Sequence, residues 1–186
     1  MVEWSQLLAP IALSAAGVFV LSSLIHMVLK WHNREYRRLS NEDAVAAALR
    51  DGGVTPGQYV FPHCLDPKDA ALPEMAAKFA EGPVGILYVR PSGMTKLGPF
   101  LGKWVVYTVV VSAVVAYVGR AELRAGADYL AVFQLIGVAT WLAYSFQGGA
   151  DSIWKGKPWV ITAKEMADGL VYALFTAGAF AWLWPR

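Results

Sequence analysis

The sequence predicts a bundle of four membrane-spanning helices with a small α/β insert between the first and second. Three observations carry that expectation. Of the 186 residues, 56% are hydrophobic and only 16% charged, whereas soluble domains run at roughly 45–50% apolar and about 25% charged. The apolar residues gather in long runs near both ends, and the charge concentrates between Lys30 and Lys103. Tryptophans stand at the ends of most of these runs, where headgroup-level rings are expected.

A helix needs about 20 mostly apolar residues to cross a hydrocarbon core of roughly 30 Å. Four runs qualify. The first spans about Trp4 to Leu29 within residues 1–30, carries no charge after Trp4, and is expected to be retained. Its MVEWSQ start is acidic, and its apolar stretch exceeds the length of a signal peptide. The second covers about Trp104 to Gly119, extendable back through Phe100 and Leu101. Its β-branched residues would suit a buried strand, but its length and lack of turn residues favour a helix. The third runs from about Tyr129 to Phe146 and the fourth from about Asp168 to Trp184, so that residues 100–186 hold three spans.

Lysine and arginine counts orient the bundle. Residues 30–103 hold ten, the second connection has Arg120 and Arg124, the third has Lys155, Lys157 and Lys164, and the tail has Arg186. Lys30, Arg34, Arg37 and Arg38 lie close to the first span and weigh most. Both termini are therefore expected outside, with residues 31–99 in the cytoplasm of a cell bounded by this membrane.

Within the insert, Ser40 and Asp43 read as a capping-box-like helix start, and Gly52 or Gly53 as its stop. A second helix, with Leu72, Met75, Ala76, Phe79 and Ala80 on one face, ends at Gly82. Pro73 is compatible with it only in the first turn. The β-rich runs Gln58–Phe61 and Gly85–Val89 flank this helix, which predicts a βαβ unit with two parallel strands. Two strands are too few to stand alone in water, so the unit is expected to lean on another surface.

Several residues are candidates for chemistry. His26 is the one ionisable side chain expected inside a span, on a face shared with Ser22 and Ser23. It reads as a hydrogen-bonded or interfacial structural histidine, with a proton or ion path as the alternative and a metal ligand behind that. Gln134 is the lone amide in the spans and is placed to bond across the bundle. His63 and Cys64 adjoin the first strand, but no paired metal-ligand spacing supports them, and a buried thiol beside a solvated histidine is the simpler reading. Cys64 is also the only cysteine, so no internal disulfide is possible. Phosphate-binding glycine loops and hydrolase elbows are missing, and neither a cofactor nor a metal is implied.

The third connection, residues 147–167, interleaves Trp154 and Trp159 with Lys155 and Lys157. That pattern suits a loop lying in the inner headgroup layer against anionic lipid. Thr162 and Glu165 then read as a capping box opening the fourth helix. Gly169, Ala173, Ala177 and Ala181 recur every four residues there, and Thr108, Ser112 and Ala116 do so in the second span. Such stripes let helix backbones approach closely, within one chain or between copies in a homo-oligomer.

The net charge of +2 gives no reason to expect nucleic acid. The function expected from these features is a non-catalytic membrane scaffold or accessory subunit that presents residues 31–99 to a protein partner. An oligomeric small-solute or ion channel is the rival, and a membrane-bound enzyme or metal-binding protein using His63 and Cys64 comes third.

Overall fold

The computed structural model describes residues 2–186, which divide into two compact units, residues 2–35 with 96–186 and residues 36–95. The first unit is helical. Its helices are α1 (Trp4–Ser23), α4 (Leu97–Glu122), α5 (Tyr129–Ser145), α6 (Gln147–Lys155) and α7 (Trp159–Leu183). Within it, four helical stretches are long and apolar enough to cross a membrane: Trp4–Val28, Leu97–Glu122, Tyr129–Lys155 and Trp159–Leu183.

Small residues decide how closely these helices pack. On α7, Gly169, Ala173, Ala177 and Ala181 are all buried. A Cβ at Gly169 would overlap the Ser145 hydroxyl of α5, and one at Gly137 would press on Ala177 at 3.3 Å. At Gly17 of α1 an added Cβ would run into the Phe175 ring of α7. Thr108, Ser112 and Ala116 form a buried stripe on α4. One end of the bundle is tightly closed by apolar side chains including Val2, Leu7, Ile136, Phe180 and Trp184. Arg120 Nε donates to the Val2 carbonyl at 2.7 Å and stacks its guanidinium over Trp4. Nearby, Trp184 Nε1 donates to the Arg124 carbonyl at 3.0 Å.

Three sequence expectations change here. The fourth helix starts at Trp159 rather than at a Thr162 cap, which puts Asp168, expected at the edge of the apolar span, about two and a half turns inside α7. Thr162 and Glu165 do not cap it. Pro158 stands at the start instead, while the Thr162 hydroxyl reaches sideways to the Gly148 carbonyl at 3.1 Å and the Ser152 hydroxyl at 2.6 Å. Residues 147–155, expected as part of an interfacial loop, are helix α6, stopped by Gly156 in the left-handed region at φ 69°.

The second unit contains α2 (Glu42–Asp51), β1 (Gly57–Phe61), a 3-10 turn over Pro67–Ala71, α3 (Pro73–Glu81) and β2 (Gly85–Val89). Asn41, not Ser40, occupies the N-cap of α2, and no side chain bonds there. Pro73 does sit in the first turn of α3. The strands pair antiparallel, Gly57 with Val89 through to Phe61 with Gly85, which corrects the parallel βαβ expectation. Parallel pairing is the weaker of the two ladders and is found where helices cover both faces of a sheet; one nine-residue helix cannot supply that. On α3, Lys78 Nζ lies 2.9 Å from Glu74 Oε1. That hydrogen bond, and secondarily its charge, holds the Glu74 carboxyl below its ordinary range and the ammonium above its own. No described residue of this unit is buried.

Candidate functional site

The other end of the bundle is polar. Beyond Ser23, the first helix loosens into a π-helical turn over Leu24–Val28, closed by the Leu29 amide on the Leu24 carbonyl at 3.0 Å. A turn with one extra residue rotates the downstream chain by about 100° relative to an unbroken helix. Lys30 then takes a left-handed backbone, φ 54°, and the chain folds back on itself. This reversal lays His32 on His26 as a parallel stack, with centroids 4.6 Å apart and planes 3° apart.

Each imidazole has defined partners. His26 Nδ1 lies 3.0 Å from the Ser22 carbonyl, which can only accept, so Nδ1 carries a proton and, in the neutral ring, Nε2 carries the lone pair. His32 Nδ1 lies 2.6 Å from Glu35 Oε1, and its Nε2 lies 2.7 Å from Asp168 Oδ2. The Lys164 ammonium approaches Glu35 at 3.3 Å and donates to the Trp31 carbonyl at 2.7 Å. The row Lys164, Glu35, His32 and Asp168 thus alternates in charge when His32 is protonated, which is how a carboxylate as buried as Asp168 is compensated. Ligand atoms of His26, His32 and Asp168 all lie within 4.8 Å of one another.

Beside this cluster lies a cavity of about 610 Å³. The ends of α1, α4, α5 and α7 enclose it. Met27, Leu97, Leu101 and Trp104 form apolar wall, while His26, Asp168, Lys157 and Glu165 supply charge. Lys157 and Glu165 pair with each other, and Trp104 Nε1 donates to the Ser22 hydroxyl at 2.8 Å. Tyr144, Tyr172 and Ser145 also line the cavity, and their buried hydroxyls have no hydrogen-bond partner. A buried hydroxyl left unpaired costs about 1–3 kcal/mol, and three of them share one cavity.

The sequence candidates are distributed unevenly around this site. Ser22 and His26 belong to it. Gln134 does not: it is exposed on α5 instead of bonding across the bundle. Trp154 and Trp159 are exposed, whereas Lys155 pairs with Asp151 at 2.7 Å and Lys157 turns into the cavity. In the second unit, His63 is exposed and Cys64 half-buried, and among the described residues no third ligand converges on them.

His32, Glu35 and Asp168 were missed by sequence reasoning. The histidine and glutamate sit in what reads as the start of a basic insert, and Asp168 marked the edge of an apolar run. The usable signal was already in the sequence: a fourth helix opened at Thr162 places the Asp168 carboxylate more than a turn inside it, next to the apolar run. No protein family, curated protein or solved structure matches this chain.

Proposed function

We propose that the chain is an integral membrane protein that binds an amphiphilic small molecule in the cavity at the basic end of its bundle. The observation that carries this reading is a 610 Å³ space lined by Tyr144, Ser145 and Tyr172, whose buried hydroxyls have no partner within the protein. That volume is within the range of about 300–1,000 Å³ usual for small-molecule sites. Hydroxyl donors call for acceptor oxygens on the ligand, such as carbonyl or phosphoryl groups, and the Met27, Leu97 and Leu101 wall suits an alkyl or isoprenoid part. The positive-inside pattern puts this end, and residues 31–99, in the cytoplasm, with both termini outside a plasma or inner membrane. On that topology the cavity lies at headgroup depth, where a lipid-soluble molecule enters sideways from the bilayer.

Mass spectrometry of the organic extract of gently solubilised protein tests the reading. One amphiphile per chain is expected, depleted severalfold when Tyr144→Phe and Tyr172→Phe are combined. Equal retention by that variant, or nothing retained by the wild type, counts against it.

A second reading, the scaffold, is favoured by a separate observation. The unit of residues 36–95 has no buried residue and exposes Val60, Phe61, Leu72 and Phe79. Such a unit gains stability from a partner surface, protein or anionic lipid, and the small-residue stripes allow a homo-oligomer as well. Exchanging Met75 and Phe79 for polar residues is expected to abolish partner recovery while leaving the bundle folded.

A further inference from the structure

We propose that His26, His32 and Asp168 form a binding site for one divalent first-row transition ion, of the zinc or cobalt type, at the polar end of the cavity. Two imidazoles and one carboxylate from two separate elements, with ligand atoms within 4.8 Å, are a donor set of the kind such ions take.

The groups behind these donors make the stronger case. A histidine that binds metal through one nitrogen nearly always donates its other N–H to a carboxylate or a backbone carbonyl, which fixes the tautomer and the ring orientation. Both histidines have that arrangement. The Ser22 carbonyl holds Nδ1–H of His26 at 3.0 Å, which leaves Nε2 as the lone-pair donor. The Glu35 carboxylate holds Nδ1 of His32 at 2.6 Å and is itself steadied by Lys164. Nε2 of His32 and Oδ2 of Asp168 face each other at 2.7 Å across a single proton. An incoming ion displaces that proton and binds both atoms, so Glu35, His32 and the metal form a carboxylate–histidine–metal series.

Two adjustments are required, the first being that the His32 Nε2–Asp168 Oδ2 pair opens from 2.7 Å to admit an ion about 2.0–2.2 Å from each atom. An ion cannot lie in the planes of two rings stacked at 4.6 Å and 3°, so one imidazole must turn. His26 is the one to do so, being exposed, carried on the π-helical turn and held at one nitrogen only, so that it pivots about its bond to the Ser22 carbonyl, while His32 is held at both nitrogens. Because His26 and Asp168 also line the cavity, the positions left open on the ion face it. The metal site is independent of whether an amphiphile fills that cavity.

The test is Co2+ titration of the untagged, detergent-solubilised full chain, read by visible ligand-field absorption and by Zn2+ competition. One Co2+ per chain is expected, in an ordered site that Zn2+ displaces. His26→Ala and Asp168→Asn should each abolish the spectrum, and the exposure of His26 makes the first of these safe for folding. Glu35→Gln should weaken binding by about 10–100-fold, as loss of a supporting carboxylate does elsewhere. His63→Ala should leave binding unchanged. Absence of an ordered Co2+ spectrum, or binding that survives His26→Ala or Asp168→Asn or vanishes in His63→Ala, overturns the proposal. The pair Tyr144→Phe and Tyr172→Phe should retain Co2+ while losing the amphiphile, so the two readings fail separately.

Discussion

Lys30 holds the least comfortable backbone conformation in the bundle unit, a left-handed φ of 54° on a residue with a full side chain. The conformation costs about 1–2 kcal/mol for an L-residue, and it persists because the reversal it makes lets His32 reach both Glu35 and Asp168. Lys30→Gly should therefore be neutral or stabilising by up to about 1 kcal/mol, since glycine relieves the strain at some cost in unfolded-chain entropy. Thermal unfolding of the solubilised variant checks this, and a clear loss of stability would show that the Lys30 side chain itself matters. The same scale explains why Asp168 is tolerated in an apolar helix. Its partner is not on α7 at all but 136 positions earlier in the chain.

Among elements, the contact between α5 and α7 depends closely on one small residue, Gly169. An added Cβ at Gly169 overlaps the Ser145 hydroxyl and meets the Ser145 and Tyr144 Cβ atoms at 3.3 Å, so a side chain there turns Ser145 and pushes its neighbours back. Apolar segments gain nothing from leaving water when they are already in lipid, so close backbone approach and dispersion contacts supply their association. Gly169→Ala should cost about 1–3 kcal/mol through overpacking and disturb the adjoining cavity. Gly149 in α6 has open space around the same position, so Gly149→Ala should be neutral or slightly stabilising. Comparing the melting temperatures of the two variants measures the packing effect apart from helix propensity. The two-stranded ladder of the second unit offers the opposite case. There the parallel βαβ expectation was wrong, because a long connection and a single short helix do not fix strand direction, and the better antiparallel bond geometry prevailed.

At the scale of the whole molecule, the topology proposed above decides which molecules and ions can reach the cavity, because it sets the side of the membrane to which the polar end belongs. Cys64 is the only cysteine, half-buried in the unit of residues 36–95, and reports that side directly. A membrane-impermeant maleimide should label it in inverted vesicles or lysed cells and leave it unlabelled in intact cells, at least tenfold apart in yield. Labelling of intact cells would reverse the topology and move the cavity to the outer face. The two ends of the bundle already differ in kind. Arg120, Trp4, Trp184 and Val2 lock one end, whereas the other holds its charge in pairs around an open space.

Apolar run length and helical period depend only on neighbours in the chain. The four long helices, their small-residue stripes and the placing of Ser22 and His26 on one face were therefore legible in the sequence alone. The site was not. His32 meets Asp168 only because a π-turn and one left-handed residue reverse the chain, and because α7 begins nine residues before the carboxylate. The π-turn and the left-handed residue leave no periodic trace in the sequence. Tertiary structure alone thus decided that an unremarked histidine, a glutamate and a boundary aspartate become the chemically distinctive part of the protein.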